Sequence, residues 1–341
     1  MEVTFQVKYS CDLDPEKWSE FVRQNPDGNF FQTPELYETY KQIKNYQPLV
    51  IAIENHHGEI LALLLAVRIQ EFGGLFHSLS SRSIIQGGPL FEDTASGHEA
   101  FLLLMREYEK NAKSSALYTE IRNTGDRSHL KETYDKLDYE YKDHLNILVD
   151  LKKPKDILLA GLSKSRRRYI RKAKEKGVVI EEISVPDKIP VFYELLKKTY
   201  DNAKIPLADI SLFSAAFTIL YPKNMIKFFL AKHNDEYIGG IMAPMYKGVI
   251  TEWYISGSRE HSKLYPSDAV TWHPIEWGAD NGYSTFDFGG AGEPNKEYGV
   301  RDFKSQFGGQ IVNWGRYVKI HSPYKMRMAN HGYEILKKIL R

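Results

Sequence analysis

The order of predicted elements is what most restricts the fold of this 341-residue chain. Apolar runs with β-branched character lie at 48–54 (PLVIAIE), 59–69 and 75–85, followed by a helical pattern over 96–113 and a short strand over 116–122. The second half repeats those types in the same order. Strands are predicted at 225–231, 237–246 and 249–256, a helix at 266–281 and a strand at 284–288. Helical segments precede both sets, at 15–24 and 34–44 before the first and at 155–176, 188–201 and 209–220 before the second. Two α-α-β-β-β-α-β units, without visible identity between them, predict a tandem of similar α/β folds. The charged stretch 150–156 (DLKKPKD) is the expected boundary, with 1–150 as the first domain and 151–317 as the second.

Composition bounds the remaining classes. A chain 42% hydrophobic and 13% aromatic has ample core for two domains. Its single cysteine, Cys11, excludes an intrachain disulfide and thiolate metal clusters, so a reducing cytoplasm is the expected location. The N-terminal stretch MEVTFQVKYSCDLDPEK has early acids and no apolar core, unlike a secretion signal. The longest apolar run, ILALLLAV at 60–67, is far short of the roughly 20 residues that span a bilayer. It reads as a buried strand.

Charge is distributed unevenly. From Lys164 to Lys176 the chain holds eight bases and one acid, leaving 38 bases against 43 acids elsewhere. Helical spacing places Lys164, Arg167 or Arg168, Arg171 and Lys174 on one face, with Ser163 suited to cap the helix and Gly177 to end it. A charged run can be only a solvated face. Three consecutive arginines favour anion binding, because guanidinium forks match phosphate. An RNA backbone and an anionic membrane surface both fit that chemistry.

Motifs of several enzyme classes are missing: HExxH, GxSxG, GxxxxGK[ST] and GxGxxG. The informative segment is FDFGGAGEPNKEYGVRDFKSQFGGQ. Phe286 and Phe288 alternate with Asp287, so the rings point to the core and Asp287 points away. Gly289 and Gly290 allow a sharp turn or a close backbone approach to a ligand. A short helix over 300–307 puts Phe303 and Phe307 on one side, and Arg301 and Lys304 on another.

The segments LSKSRRRYIRKAKEKGVVI, STFDFGGAGEP, VRDFKSQFGGQIV and FFQTPELYETYK, the last at 30–41, together resemble the FemABX family of peptidoglycan bridge-forming aminoacyltransferases. They also resemble the broader FemAB-like branch of the GNAT N-acyltransferases. The resemblance implies two GNAT-like folds facing each other across a cleft, with the C-terminal segment, 318–341, packing back on the first. It implies that Lys304 lies at the catalytic end and that Lys41 contacts an acceptor phosphate. Gly289, Gly290, Arg301 and Tyr254 complete the expected substrate-binding set. Two departures matter. Thr199 is followed by Tyr200, Asp201, Asn202, Ala203 and Lys204, without the arginine that accompanies a muramyl acceptor, and the family's PRGP turn is Gln86-Gly87-Gly88-Pro89.

The implied activity is transfer of an aminoacyl group to an amine of a cell-wall or envelope precursor. Such a reaction needs oxyanion stabilisation, assigned to Lys304, and removal of a proton, assigned to Asp287 or the leaving group. No metal or resident cofactor is implied. Aminoacyl-tRNA as donor accounts for the basic helix; an acyl-CoA would use the loop 257–266 (GSREHSKLYP), which lacks the usual glycine-rich pattern. A third reading is a non-catalytic RNA- or envelope-binding protein. Lys304 is expected to be exposed, so that its replacement affects transfer and leaves stability unchanged.

Overall fold

A computed structural model of the protein describes residues 4–70 and 81–328. It divides into two compact units, Met1–Asp143 with Trp314–Arg341, and His144–Asn313.

In the first unit, helices α1 (Pro15–Gln24) and α2 (Pro34–Lys41) precede the hairpin of β2 (Tyr46–Glu54) and β3 (Ile60–Gln70). Strands β4 (Ser81–Gln86) and β5 (Leu90–Phe91) both pair with β3, and α3 (Ala95–Ser115) leads to β6 (Tyr118–Arg122). Helix α3 buries Ala100, Phe101, Leu104, Met105, Tyr108 and Ala112, one face at helical spacing, against the sheet. Thr94 caps it, accepting from Gly97 N–H at 3.0 Å. β1 (Gln6–Tyr9), β7 (Glu140–Lys142) and β16 (Arg316–Ile320) complete the order β1-β2-β3-β4-β6-β16-β7. Between β6 and β7 runs the short helix α4 (Lys131–Lys136). Residues 75–80 of one expected strand, and 329–341 of the expected returning segment, lie outside the described residues.

The second unit has a matching sheet. β9 (Val179–Glu182), β10 (Ile226–His233), β11 (Glu236–Tyr246), β12 (Val249–Thr251), β14 (Thr285–Gly290), β8 (Leu145–Asp150) and β15 (Gln310–Asn313) follow in that order, with β13 (Tyr254–Gly257) also on β11. In each sheet an antiparallel run of strands ends in one parallel pair, β4 with β6 and β12 with β14. The tandem of α/β folds is therefore present. β8, which falls within the expected first domain, pairs with β14 and β15 in the second sheet, so the stretch 150–156 lies inside the second unit. The sixth position of the first sheet is taken by β16, from beyond the second unit.

Two predicted elements are broken. The helix expected over 155–176 is α5 (Lys155–Gly161) and α6 (Lys164–Glu175). Leu162 is extended and buried between them, and Ser163 caps α6 by accepting from Arg166 N–H at 3.2 Å. A serine hydroxyl competing for backbone donors starts a new helix there. The strand expected over 249–256 is interrupted at Glu252 and Trp253, giving β12 and β13. Helices α7 (Ile189–Ala203), α8 (Ile210–Ile219) and α9 (Pro266–Asp280) accompany this sheet, and α10 (Gly299–Ser305) lies between β14 and β15 in the chain.

Candidate active site

The interruption at Glu252 opens the second sheet. β12 runs beside β14 as far as Thr251 and Asp287, and Glu252 N–H still donates to the Asp287 carbonyl at 2.8 Å. Trp253 N–H then donates to Met242 O at 3.1 Å, and β13 continues along β11 from Tyr254 to Gly257. On the other side, β14 pairs with β8 through a register shift between Asp287 and Gly290. The Phe288 and Gly290 carbonyls, past the last β12 pairing, accept from the Lys304 ammonium, the Gly290 bond being 3.3 Å long.

Lys304 makes its third contact with Glu252 Oε1, at 3.0 Å. Two hydrogen bonds and one ion pair thus surround the ammonium, which has three donors. The two side chains are only 10% and 4% exposed, so the pair is buried and the expected surface lysine is corrected. Phe303 and Phe307 form the opposite anchor of α10. Their rings lie 5.2 Å apart, Phe307 is buried, and Phe288 approaches Phe307 at 5.8 Å. With its hydrophobic side locked, the helix carries Lys304 inward.

Asp287 is also buried. Its Oδ1 accepts from Gly289 N–H at 2.8 Å and from Asn146 Nδ2 at 3.3 Å. Burial pushes its carboxyl above the ordinary carboxylate range, and Glu252 adds to the rise; the Gly289 and Asn146 hydrogen bonds and the Lys304 charge oppose it. Gly289 takes φ 65°, the left-handed conformation that suits glycine. At Gly290 a β-carbon would come within 2.6 Å of His144 Nε2, so a side chain there requires the His144 ring to move. Asp287 thereby holds the turn whose carbonyls hold Lys304.

The other predicted residues separate. Arg301 directs its guanidinium to the Ala291, Glu293 and Lys296 carbonyls and secures the loop before α10. Tyr254 packs against Phe213 at 4.9 Å and Tyr200 at 6.0 Å, in an aromatic cluster beside Glu252 on the same chain segment. Lys41 ends α2 in the first unit, half-exposed and 2.9 Å from Glu38. Of the basic run, Lys164, Arg168, Arg171 and Lys174 are exposed on α6, and Arg167 is partly buried. Arg171 pairs with Glu175 at 3.3 Å. Arg166 turns inward: it meets Asp268 at 2.6 Å and Gln306 at 3.1 Å and lies 4.7 Å over the Phe303 ring, tying α6 to α9 and α10.

Glu252 is the residue that the sequence reading missed. Its signal was an acid inside an otherwise apolar strand, VITEWYIS, where burial demands a partner. A cavity of about 570 Å³ in the first unit is lined by none of these site residues; Asn25, Asp27, Phe91, Glu92 and His129 are among its walls.

Residues 162–305 match the model of the acetyltransferase (GNAT) domain, a span that contains Glu252, Asp287 and Lys304. No match is found among curated proteins. Among solved structures, FemX is similar with a TM-score of 0.71 and 17% identity, over 92% of this chain and 97% of that one. The C-terminal domain of a protein assigned as a lysylphosphatidylglycerol synthetase from Agrobacterium fabrum gives 0.57 and 13%, over 94% and 95%. A tandem GNAT protein from the clavulanic acid biosynthesis pathway gives 0.56 and 10%, over 93% and 98%. The chain thus has the fold of FemX and of the tandem GNAT protein, and its second unit contains the span that matches the GNAT acetyltransferase domain model.

Proposed function

We propose that the protein moves an aminoacyl group from aminoacyl-tRNA to an amine of a cell-envelope precursor, with Lys304 at the reacting end. The observation that carries this reading is the buried Lys304–Glu252 pair, set where the sheet of a GNAT domain opens. Attack by an amine on an ester carbonyl creates an oxyanion, and an ammonium already fixed in a dry site stabilises it far more than water does. Lys304 already holds two carbonyls and one carboxylate, so one contact must be exchanged. The 3.3 Å bond to Gly290 O is long and is the one to yield, while Glu252 keeps the ammonium oriented.

Two features support tRNA as the donor. Lys164, Arg168, Arg171 and Lys174 are exposed along α6, a strip suited to an RNA backbone. The first turn of α9, where a coenzyme A pyrophosphate would need free N–H groups, already contains the Asp268 carboxylate bound to Arg166. A second reading, acyl-CoA as donor, is favoured by the acetyltransferase description of the matched domain. A lysylphosphatidylglycerol synthetase among the structural relatives supports an envelope molecule as acceptor, and the amine is what the resemblance of the motifs implies.

The deciding experiment offers labelled bulk aminoacyl-tRNA and labelled acetyl-CoA in parallel, with an amine-bearing envelope-precursor fraction as acceptor. Transfer from tRNA is the expected result. Transfer from acetyl-CoA alone establishes the second reading. Binding of tRNA without transfer from either donor leaves a polyanion-binding protein.

A further inference from the structure

We infer that Glu252 is the proton acceptor for the incoming amine, with its Oε2 as the atom on which the acceptor's ammonium docks. This inference rests on the transfer reading above and adds the acceptor's chemical form, a protonated amine.

Glu252 uses only half of its carboxylate. Oε1 holds Lys304, whereas Oε2 is closed to water and has no hydrogen-bond partner. A carboxylate oxygen left bare in a dry site is costly, and folds keep one where another state satisfies it. The charged and titratable groups that interact with Glu252 are Lys304 from α10, Asp287 from β14 and Tyr200 from α7, with Tyr298 in electrostatic range of Tyr200. Lys304 is the cation among them, and it meets the other oxygen, Oε1, as well as two backbone carbonyls. An ammonium is the partner that Oε2 lacks.

The equivalent point of the first unit shows that the fold does not require this charge. Gln86 pairs with Arg122 as Thr251 pairs with Asp287, so Gly87 stands where Glu252 stands. Gly87 N–H donates to Arg122 O at 2.8 Å, matching Glu252 N–H to Asp287 O. There the opening is closed by a neutral side chain. Gln32 donates to the Gly87 and Gly88 carbonyls at 3.0 and 2.8 Å and accepts from Asn29 N–H at 2.9 Å. Every polar atom of that amide is used, in contrast to Glu252.

Geometry also favours the assignment. The two oxygens of one carboxyl group hold Lys304 and the amine side by side, a spacing that one acyl carbon bridges as it bonds to both nitrogen and oxyanion. The ammonium gives a proton to Oε2, and the freed lone pair forms the C–N bond. The carbonyl electrons pass to the oxygen facing Lys304, then return as the ester C–O bond breaks. The departing oxygen takes the proton from Glu252, and the nitrogen's surplus proton passes through the regenerated carboxylate to water.

The first test needs no donor. Protein labelled with ¹³C at glutamate carboxyls is titrated with ethylammonium chloride, and the Glu252 resonance is identified by its loss in Glu252→Gln. A saturable shift of that resonance is expected. Its absence overturns the inference while leaving a role for Lys304 intact, so the two failures are distinguishable. The second test compares acceptors. Glu252→Gln keeps an oxygen for Lys304, yet should slow transfer to an alkylammonium by about a hundredfold or more. Hydroxylamine, largely unprotonated at neutral pH, should lose no more than about threefold. Equal losses with both acceptors would show a structural role only and overturn the proposal.

Discussion

The two units meet the same backbone problem and answer it differently. Where the third strand leaves its parallel neighbour, the first unit places Gly87 and closes the opening with the buried amide of Gln32. The second unit places Glu252 and closes it with a buried ion pair. A neutral, fully bonded plug is the less costly solution, since burying two charges incurs a desolvation penalty that good geometry only partly offsets. The contrast is the reason for proposing that the second unit's opening is the one that carries the chemistry.

Lys304→Met should break the comparison most severely. It removes the proposed donor for the oxyanion, and it leaves Glu252 as an unpaired buried charge, costing on the order of 3–5 kcal/mol. A thermal melt should show this loss, and Lys304→Met combined with Glu252→Gln should recover much of it. Gln32→Ala should act on stability alone. It strands two carbonyls and one N–H, for roughly 1–3 kcal/mol by chemical denaturation.

Smaller effects separate the units by pH. In the first unit Tyr108, Ser83, Thr119 and His321 form a hydroxyl–imidazole chain, with Thr119 Oγ1 and His321 Nε2 2.7 Å apart. Burial, with help from Lys319 and Lys113, lowers the His321 pKa to about 4. A depressed folded value means that its contribution is complete above the unfolded value of about 6.5 and is lost as pH falls through 4. Allowing for partial exposure, about 1–2 kcal/mol should disappear over that window, and His321→Gln should flatten the profile. Asp287 has the opposite sign. Its raised folded pKa favours the folded state most below the unfolded value of about 3.9, and that advantage declines as pH rises through the folded value. Asp287→Asn retains an acceptor for Gly289 N–H, so its melting temperature should gain on wild type at neutral pH and converge with it in acid.

The basic helix holds two kinds of arginine. Replacing Arg167, Arg168 and Arg171 with Gln should weaken tRNA binding and reduce its salt dependence by about one unit per lost phosphate contact, without moving the melt. Arg166→Gln should instead lower the melting temperature, because Asp268 loses its buried partner. Filter binding across a salt series, beside the melts, checks both.

Element order and the pairing of Phe303 with Phe307 were legible because hydrophobic spacing reports burial directly. The two interruptions were not, since each depends on a polar atom finding a tertiary partner: Ser163 at a helix start and Glu252 at a strand split. β8 was missed as part of the second sheet because pairing partners far apart in the chain, such as Leu148 and Asp287, leave no local trace. The depth of Lys304 was hidden for a related reason. Its helix exposes Val300 on one turn and buries Lys304 on the next, and only the carbonyls of the glycine turn make that burial tolerable.

The most direct test of the account is single-turnover transfer by Lys304→Met and Gln32→Ala, measured with saturating acceptor at a temperature where both variants are folded. The charged opening should be indispensable and the neutral one irrelevant: a loss of about a hundredfold or more for Lys304→Met, with Gln32→Ala close to wild type. A wild-type rate in Lys304→Met, or an equal loss in both, would contradict the assignment of the reacting end to the second unit's opening.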